Sequence, residues 1–211
     1  HKRQVIIAEV PKGPLQEHHF KIQPISISET LLQEDEVLID VKAITIGAGQ
    51  RAGLQGSAGY AGAVTGRDNA IMSGTGLGLV VSSRNANFKV GDECMGPTGW
   101  QERAVCRGKD LVKVPANSCS IPSLSLGALG TNGLTAYFGL LEVGQPQEGE
   151  CVVVSAAGGS VGHMVGQIAK IKGCRVVGVC GSDEKCERLV KELGFDAAVN
   201  YKSASFRDDL K

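Results

Sequence analysis

Six consecutive residues, Ala157-Gly158-Gly159-Ser160-Val161-Gly162, follow the spacing [G/A]-x-G-x-x-G. Before them, Cys151 to Ala157 form a short apolar run suited to a strand. After them, Val161, Met164, Val165, Ile168 and Ala169 recur at the spacing of one helix face. A glycine turn between strand and helix aims backbone amides at a helix N-terminus, where the dipole favours negative charge. A glycine in the last position, Gly162, lets helix and strand pack closely. The chemistry this serves is capture of a dinucleotide pyrophosphate by Gly159, Ser160, Val161 and Gly162. The same turn also exists without a ligand, so its surroundings must decide.

The end of the next strand distinguishes dinucleotides, because a carboxylate there accepts from a ribose 2′-hydroxyl and a cation meets a 2′-phosphate. The residues are Val179-Cys180-Gly181-Ser182-Asp183-Glu184-Lys185. Cys180 and Gly181 offer no carboxylate. Lys185 falls in the first turn of the following helix, where a cation opposes the dipole unless an anion offsets it. That favours NADPH, while Asp183, about twenty residues beyond Gly162, keeps NADH open and also suits a plain helix cap. Tyr201, after the third strand, is placed to lie along the ribose and phosphates, or simply to pack. Thr135, in Gly133-Leu134-Thr135-Ala136-Tyr137, is a candidate nicotinamide contact or a helix-packing residue. His18, His19 and His163 form no ligand pattern with one another or with cysteine.

These residues need a frame. From Gln4 to about Val114 the pattern is mostly β: QVIIAEV, HHFKIQ, EVLIDVKAITI, GLGLVVSS, WQERAVC and LVKV are short, β-branched and punctuated by glycine, proline and aspartate, as in a barrel or sandwich. Gly47 to Gly74 reads as a long loop region containing at most a short helix. Pro122 to Val143 has apolar residues at helical spacing and is expected to give two linking helices. From Cys151 onward the order is βαβαβ, with a first strand expected to be buried on both faces, helices ending at Gly173 and Gly194, and a last strand from Asp196 to Asn200. Strands alternating with helices imply a parallel sheet with right-handed crossovers. Three strands are half of a six-stranded dinucleotide-binding fold, so the chain is expected to be a fragment of a longer protein.

Composition sets the outer bounds. The 211 residues carry 22 Lys and Arg against 22 Asp and Glu, so no net field draws in a polyanion or anionic membrane. Nucleic-acid and membrane partners are not expected. Glycine occurs 29 times, well above the roughly 15 of average usage. No apolar run is long enough to span a bilayer, and no signal-type segment follows the first residues, so a cytoplasmic location is expected. The seven cysteines, Cys94, Cys106, Cys119, Cys151, Cys174, Cys180 and Cys186, are odd in number and lack C-x-x-C spacing. They support neither a disulfide framework nor a zinc knuckle. Cys151, Cys174 and Cys180 are expected to be inert buried thiols.

GALGTNGLTAYFGLLEVG, VVVSAAGGSVGHMVGQIAKIKGCRVVGVCGSDEK and ELGFDAAVNYK, spread over Gly127 to Lys202, resemble the medium-chain dehydrogenases/reductases. Within them they resemble the zinc-independent NADPH-dependent alkenal and enone reductases, which include prostaglandin reductases, leukotriene B4 12-hydroxydehydrogenase and curcumin reductase. The resemblance continues through GTGLGLVVSSRNANFKVGDECMG and GWQERAV. It implies an α/β protein: a GroES-like β-barrel catalytic domain over residues 1–118, then the first half of a Rossmann domain, a doubly wound parallel sheet, over 119–211.

It further implies NADPH as cofactor and hydride transfer to the β-carbon of an α,β-unsaturated ketone or aldehyde, with a small-molecule enone or enal as partner and a possible homodimer. The cofactor residues carried over are Gly159, Ser160, Val161, Gly162, Lys185, Tyr201 and Thr135. The G-H-E zinc-ligand motif is missing at Gly66-Arg67-Asp68-Asn69 and from Gly74 to Gly78, so no metal is expected. The family's D-P-Y-M-R is replaced by Gly47-Ala48-Gly49-Gln50-Arg51, and its substrate-polarising tyrosine belongs to later strands, so no catalytic residue is assigned. Quinone reduction and a truncated, non-catalytic binding form are the alternatives.

Overall fold

Short β-branched runs broken by glycine, proline and aspartate become the strands of the first half: β1 (Lys2–Ile7), β2 (Phe20–Ile25), β3 (Glu36–Ile44), β4 (Gly76–Ser83), β5 (Glu93–Gly96), β6 (Arg103–Arg107) and β7 (Val112–Lys113). The computed structural model describes residues 2–25, 27, 32–54, 67–115 and 122–210. The chain divides into two units, His1–Leu126 and Gly127–Lys211.

In the first unit β6-β3-β4-β5-β7 form a five-stranded antiparallel sheet and β1-β2 a hairpin. Isolated bridges Gln4↔Gln101 and Ile6↔Ile71 join β1 to the flank of the larger sheet. Alternate residues face inward, so Val37, Ile39, Val80, Phe88, Cys94, Ala104, Cys106 and Leu111 make one core. Burial pushes two of these thiols up, Cys94 to about 11 and Cys106 to about 12, which keeps them protonated hydrophobes. Of the expected Gly47–Gly74 loop, the described part holds helix α1 (Ala48–Leu54). Residues 55–66, and Cys119, lie outside the described residues.

The second unit begins with α2 (Thr131–Tyr137), which runs straight into a π-helical stretch, Phe138–Gly144. The two expected linking helices are therefore one continuous helical run preceded by a 3-10 turn at Pro122–Leu126. Gln145, at φ +48°, turns the chain out of it. Then follow β8 (Cys151–Val154), α3 (Gly162–Ile171), β9 (Arg175–Cys180), α4 (Asp183–Lys191), β10 (Ala197–Asn200) and a final turn α5 (Phe206–Asp209). The strands are parallel, in the order β10-β9-β8. Gly173, at φ +79°, makes the left-handed exit from α3 that a residue with Cβ would resist.

Two crossovers running in the same direction put α3 and α4 on one face of the sheet. Val154, Val176 and Cys180 meet Ala169 of α3, Leu189 of α4 and Phe195 there. The other face of β8 is open: Val153 is 59% exposed and Cys151 is also exposed. This corrects the expectation of a first strand buried on both faces with Cys151 inert inside it. The covering layer reaches only the even-numbered residues of β8, so an odd-numbered cysteine faces out. Cys174 and Cys180 are buried as expected. No helix among the described residues is long and apolar enough to cross a membrane.

Candidate nucleotide site

The turn from β8 to α3 is held by backbone. Ala156 takes the left-handed conformation, φ +48°, and its carbonyl accepts from the Gly159 amide at 2.9 Å. A Cβ on Gly162 would stand 2.5 Å from that same carbonyl oxygen and 2.8 Å from Cα of Ala157, so only glycine fits where the helix crosses the strand end. Helix α3 starts at Val161 with no side-chain cap. Among the described residues no acceptor meets the amides of Ser160, Val161 and Gly162. The turn thus presents unsatisfied donors at a helix N-terminus, which an anion satisfies. His163 closes one side: its Nδ1–H donates to the Gly159 carbonyl at 2.7 Å.

The turn from β9 to α4 is held by side chains instead. The Ser182 hydroxyl accepts from the Lys185 amide at 3.3 Å and caps α4. Asp183, the residue that kept NADH open, accepts from the Asn200 side-chain amide at 2.8 Å and so joins α4 to β10. Lys185 lays its aliphatic stem over the glycine turn, with Cδ 3.2 Å and Cβ 3.4 Å from where a Cβ of Gly158 would be. Tyr201 covers the β9–α4 turn at Gly181. Its hydroxyl is 2.9 Å from the Cβ position of Gly181, and its amide donates to the Cys180 carbonyl at 3.0 Å.

Gly158, Gly159, Ser160, His163, Lys185 and Arg188 line a cavity of about 330 Å³ between α3 and α4. The fold therefore brings Gly159 and Ser160 together with Lys185, and sets Val161 and Gly162 directly behind them. Tyr201 is placed on the far side of the Gly181-Ser182 turn. Thr135 is on α2, and its hydroxyl donates to the Thr131 carbonyl at 2.6 Å. Arg188 was not singled out from sequence, and His163, read there as forming no ligand pattern, is satisfied locally by the Gly159 carbonyl. Arg188 follows Lys185 by three residues, so the helix period alone puts both cations on one face; His163 follows the last glycine of the motif.

Asp196 ties the last turn of α3 to the start of β9. Its carboxylate accepts from Lys170 of α3 at 2.9 Å and from the Val176 amide of β9 at 2.6 Å. The bond from Lys170, followed by that from Val176, holds its pKa below the usual carboxylate range. In the first unit, Gln50 occupies the stretch that departs from the family motif. Its side chain donates to the Thr45 and Ser73 carbonyls at 3.0 and 3.1 Å and accepts from the Gly47 amide, bracing the start of α1. Arg51 donates to the Gly13 carbonyl at 2.8 Å. Among the described residues no three His, Cys, Asp or Glu side chains converge as a metal site would require.

Residues 3–114 match the family model described as the N-terminal domain of oxidoreductase, and residues 160–211 match the one described as zinc-binding dehydrogenase. The chain is 37% identical over 211 residues to the NADPH-dependent curcumin reductase of Escherichia coli, covering 99% of this chain and 59% of that protein. It is 47% identical over 148 residues to prostaglandin reductase 1 of Bos taurus, covering 69% of this chain and 45% of that one. The crystal structure of CurA from Vibrio vulnificus in complex with NADPH superimposes with a TM-score of 0.88 at 36% identity, over 99% of this chain and 60% of that one. The chain spans about three fifths of the length of the curated relatives that it matches from end to end.

Proposed function

Because the chain belongs to the medium-chain dehydrogenase/reductase family of oxidoreductases, we propose that it forms the barrel and first nucleotide-binding half of an NADPH-dependent reductase of α,β-unsaturated ketones and aldehydes. The observation that carries this reading is the pairing of an uncapped, glycine-crossed helix start with the Lys185 stem laid over Gly158. The first binds a pyrophosphate, the second a 2′-phosphate. The relatives named as NADPH-dependent curcumin reductase and prostaglandin reductase support the same cofactor and substrate class.

Each residue then has a task. The amides of Ser160, Val161 and Gly162 donate to the pyrophosphate, Gly159 lets it approach the backbone closely, and His163 stiffens the turn by its bond to Gly159. Lys185 meets the 2′-phosphate with Arg188 behind it, and Tyr201 lies along the ribose side. Thr135 belongs near the nicotinamide. Bound NADPH supplies the hydride, and conjugate reduction needs from the protein chiefly orientation and a donor for the developing enolate oxygen. Zero net charge supports a small-molecule rather than a nucleic-acid or membrane partner, in a cytoplasmic enzyme. A homodimer follows from the family reading.

The test is NADPH oxidation with a 2-alkenal such as 4-hydroxynonenal, with a 15-oxo-prostaglandin and with a quinone. Turnover of the enones with little of the quinone is expected. Turnover of the quinone alone would make the protein a quinone reductase, and NADPH binding without any turnover would make it a binding form.

A further inference from the structure

The β9–α4 turn holds a feature that nucleotide binding does not use. Cys180, the last residue of β9, and Cys186, in the second turn of α4, have their sulfurs 3.2 Å apart. That is inside the van der Waals contact of two sulfurs, and about 1.2 Å longer than the roughly 2.05 Å of a disulfide. The residues between them are Gly181, Ser182, Asp183, Glu184 and Lys185, so the pair brackets the segment that reads the 2′ position of the nucleotide. The bracket is tightly wound: the Ser182 carbonyl accepts from the Cys186 amide at 3.1 Å and from the Cys180 thiol at 3.7 Å, while the Cys180 carbonyl accepts from Tyr201.

We propose that Cys180 and Cys186 form a reversible dithiol–disulfide pair whose oxidation loosens the grip of Lys185 on NADPH. The effect on NADPH rests on the cofactor reading above; the disulfide itself rests on the sulfur contact alone. The oxidant is a small-molecule disulfide of the glutathione class. Cys186 is partly exposed and Cys180 only 3% exposed, so the outer sulfur reacts first. The Cys186 thiolate attacks the oxidant, breaks its S–S bond and releases one thiol. Cys180 then attacks the Cys186 sulfur of the mixed disulfide and releases the second. Two protein S–H bonds are lost and one S–S bond forms, and the oxidant leaves as two thiols carrying the two protons and two electrons.

Burial, then the hydrogen bond with Cys180, pushes the Cys186 thiol up to about 12, so the outer sulfur rests protonated. The first exchange is accordingly the slow step, and the second joins sulfurs already in contact. Closing the gap draws the start of α4 toward the end of β9. Lys185, adjacent to Cys186 in the chain, moves with it off Gly158. Loss of one well-placed charge-assisted contact raises the NADPH dissociation constant about tenfold.

The chain carries its own assay. Trypsin cuts after Arg175, Lys185 and Arg188, so the two cysteines fall on separate peptides, Val176–Lys185 and Cys186–Arg188, which stay joined only through the disulfide. After incubation with glutathione disulfide, the non-reduced digest should contain the joined pair, and NADPH affinity should fall about tenfold and return with dithiothreitol. Cys186→Ser, at a partly exposed position, should give no joined pair and an NADPH affinity indifferent to oxidant. Absence of the joined peptides overturns the proposal, as does a joined pair with unchanged NADPH affinity. If the reduced protein fails to bind NADPH at all, the cofactor reading fails while the peptides still report whether the disulfide forms.

Discussion

The two βα turns of the second unit solve the same problem in opposite ways. After β8, the first amides of α3 meet no acceptor among the described residues, and the helix has no side-chain cap. After β9, Ser182 caps α4 and Asp183 is bonded to Asn200. An uncapped helix start tolerates, and is completed by, a bound anion; a self-capped one has no such vacancy and contributes through the side chains it projects. The difference teaches where specificity resides. In the function proposed above, the first turn takes any dinucleotide pyrophosphate through backbone, and the second separates NADPH from NADH through Lys185. An aspartate about twenty residues past the last glycine fits the NADH pattern by position, yet its hydrogen bond to β10 shows it acting as a brace.

The largest break in that contrast comes from Gly162→Ala. Its Cβ meets the Ala156 carbonyl at 2.5 Å, so the helix start must shift away from the strand end. NADPH affinity is expected to fall by about 100-fold or more, the scale of a misplacement near 1 Å at a site that depends on alignment. Titration of NADPH fluorescence checks it, and NADH should lose affinity in parallel because the shared turn is hit. Ser182→Ala removes the cap of α4 and should cost about 1 kcal/mol, seen as a melting temperature lower by a few degrees. Nothing comparable can be lost at α3, whose Val161 caps nothing.

The smallest effect concerns acid. The pKa of Asp196 is lowered in the folded protein, first by Lys170 and then by the Val176 amide. A lowered folded-state pKa adds stability above the unfolded value of about 3.9 and loses it as pH falls through the folded value. Asp196→Asn should therefore be less stable than the parent protein at neutral pH, and the gap should close below about pH 4. Denaturant melts at neutral and acid pH measure that gap. The carboxylate is well solvated, so the change is modest.

Much of the second unit was legible because its signals are periodic and local. The β8–α3–β9–α4–β10 order and the exits at Gly173 and Gly194 follow from helix spacing and turn residues, as does a cap at the start of α4, which the sequence leaves between Ser182 and Asp183 and the structure gives to Ser182. What stayed hidden depends on tertiary context. The left-handed residue of the first turn is Ala156 rather than a glycine, since the motif glycines serve close approach instead. Cys151 faces out because the helices cover only one side of β8. In the first unit β5, Glu93–Gly96, escaped notice: four residues are too few to show alternation, and its place comes from pairing with β4 and β7. For the site, the motif gives the glycine turn and Lys185 but not Arg188, which comes alongside through helix geometry; His163, named in the sequence as part of no ligand pattern, bonds to the turn itself.

The central claim is that backbone at one turn binds the dinucleotide and Lys185 at the other selects NADPH. The most direct test measures NADPH and NADH dissociation constants for the parent protein and for Lys185→Ala. The account predicts tighter NADPH binding in the parent. In the variant it predicts about 10- to 100-fold weaker NADPH binding, the loss of one charge-assisted hydrogen bond, with NADH changed less than about twofold. Equal weakening of both nucleotides, or none, would contradict it.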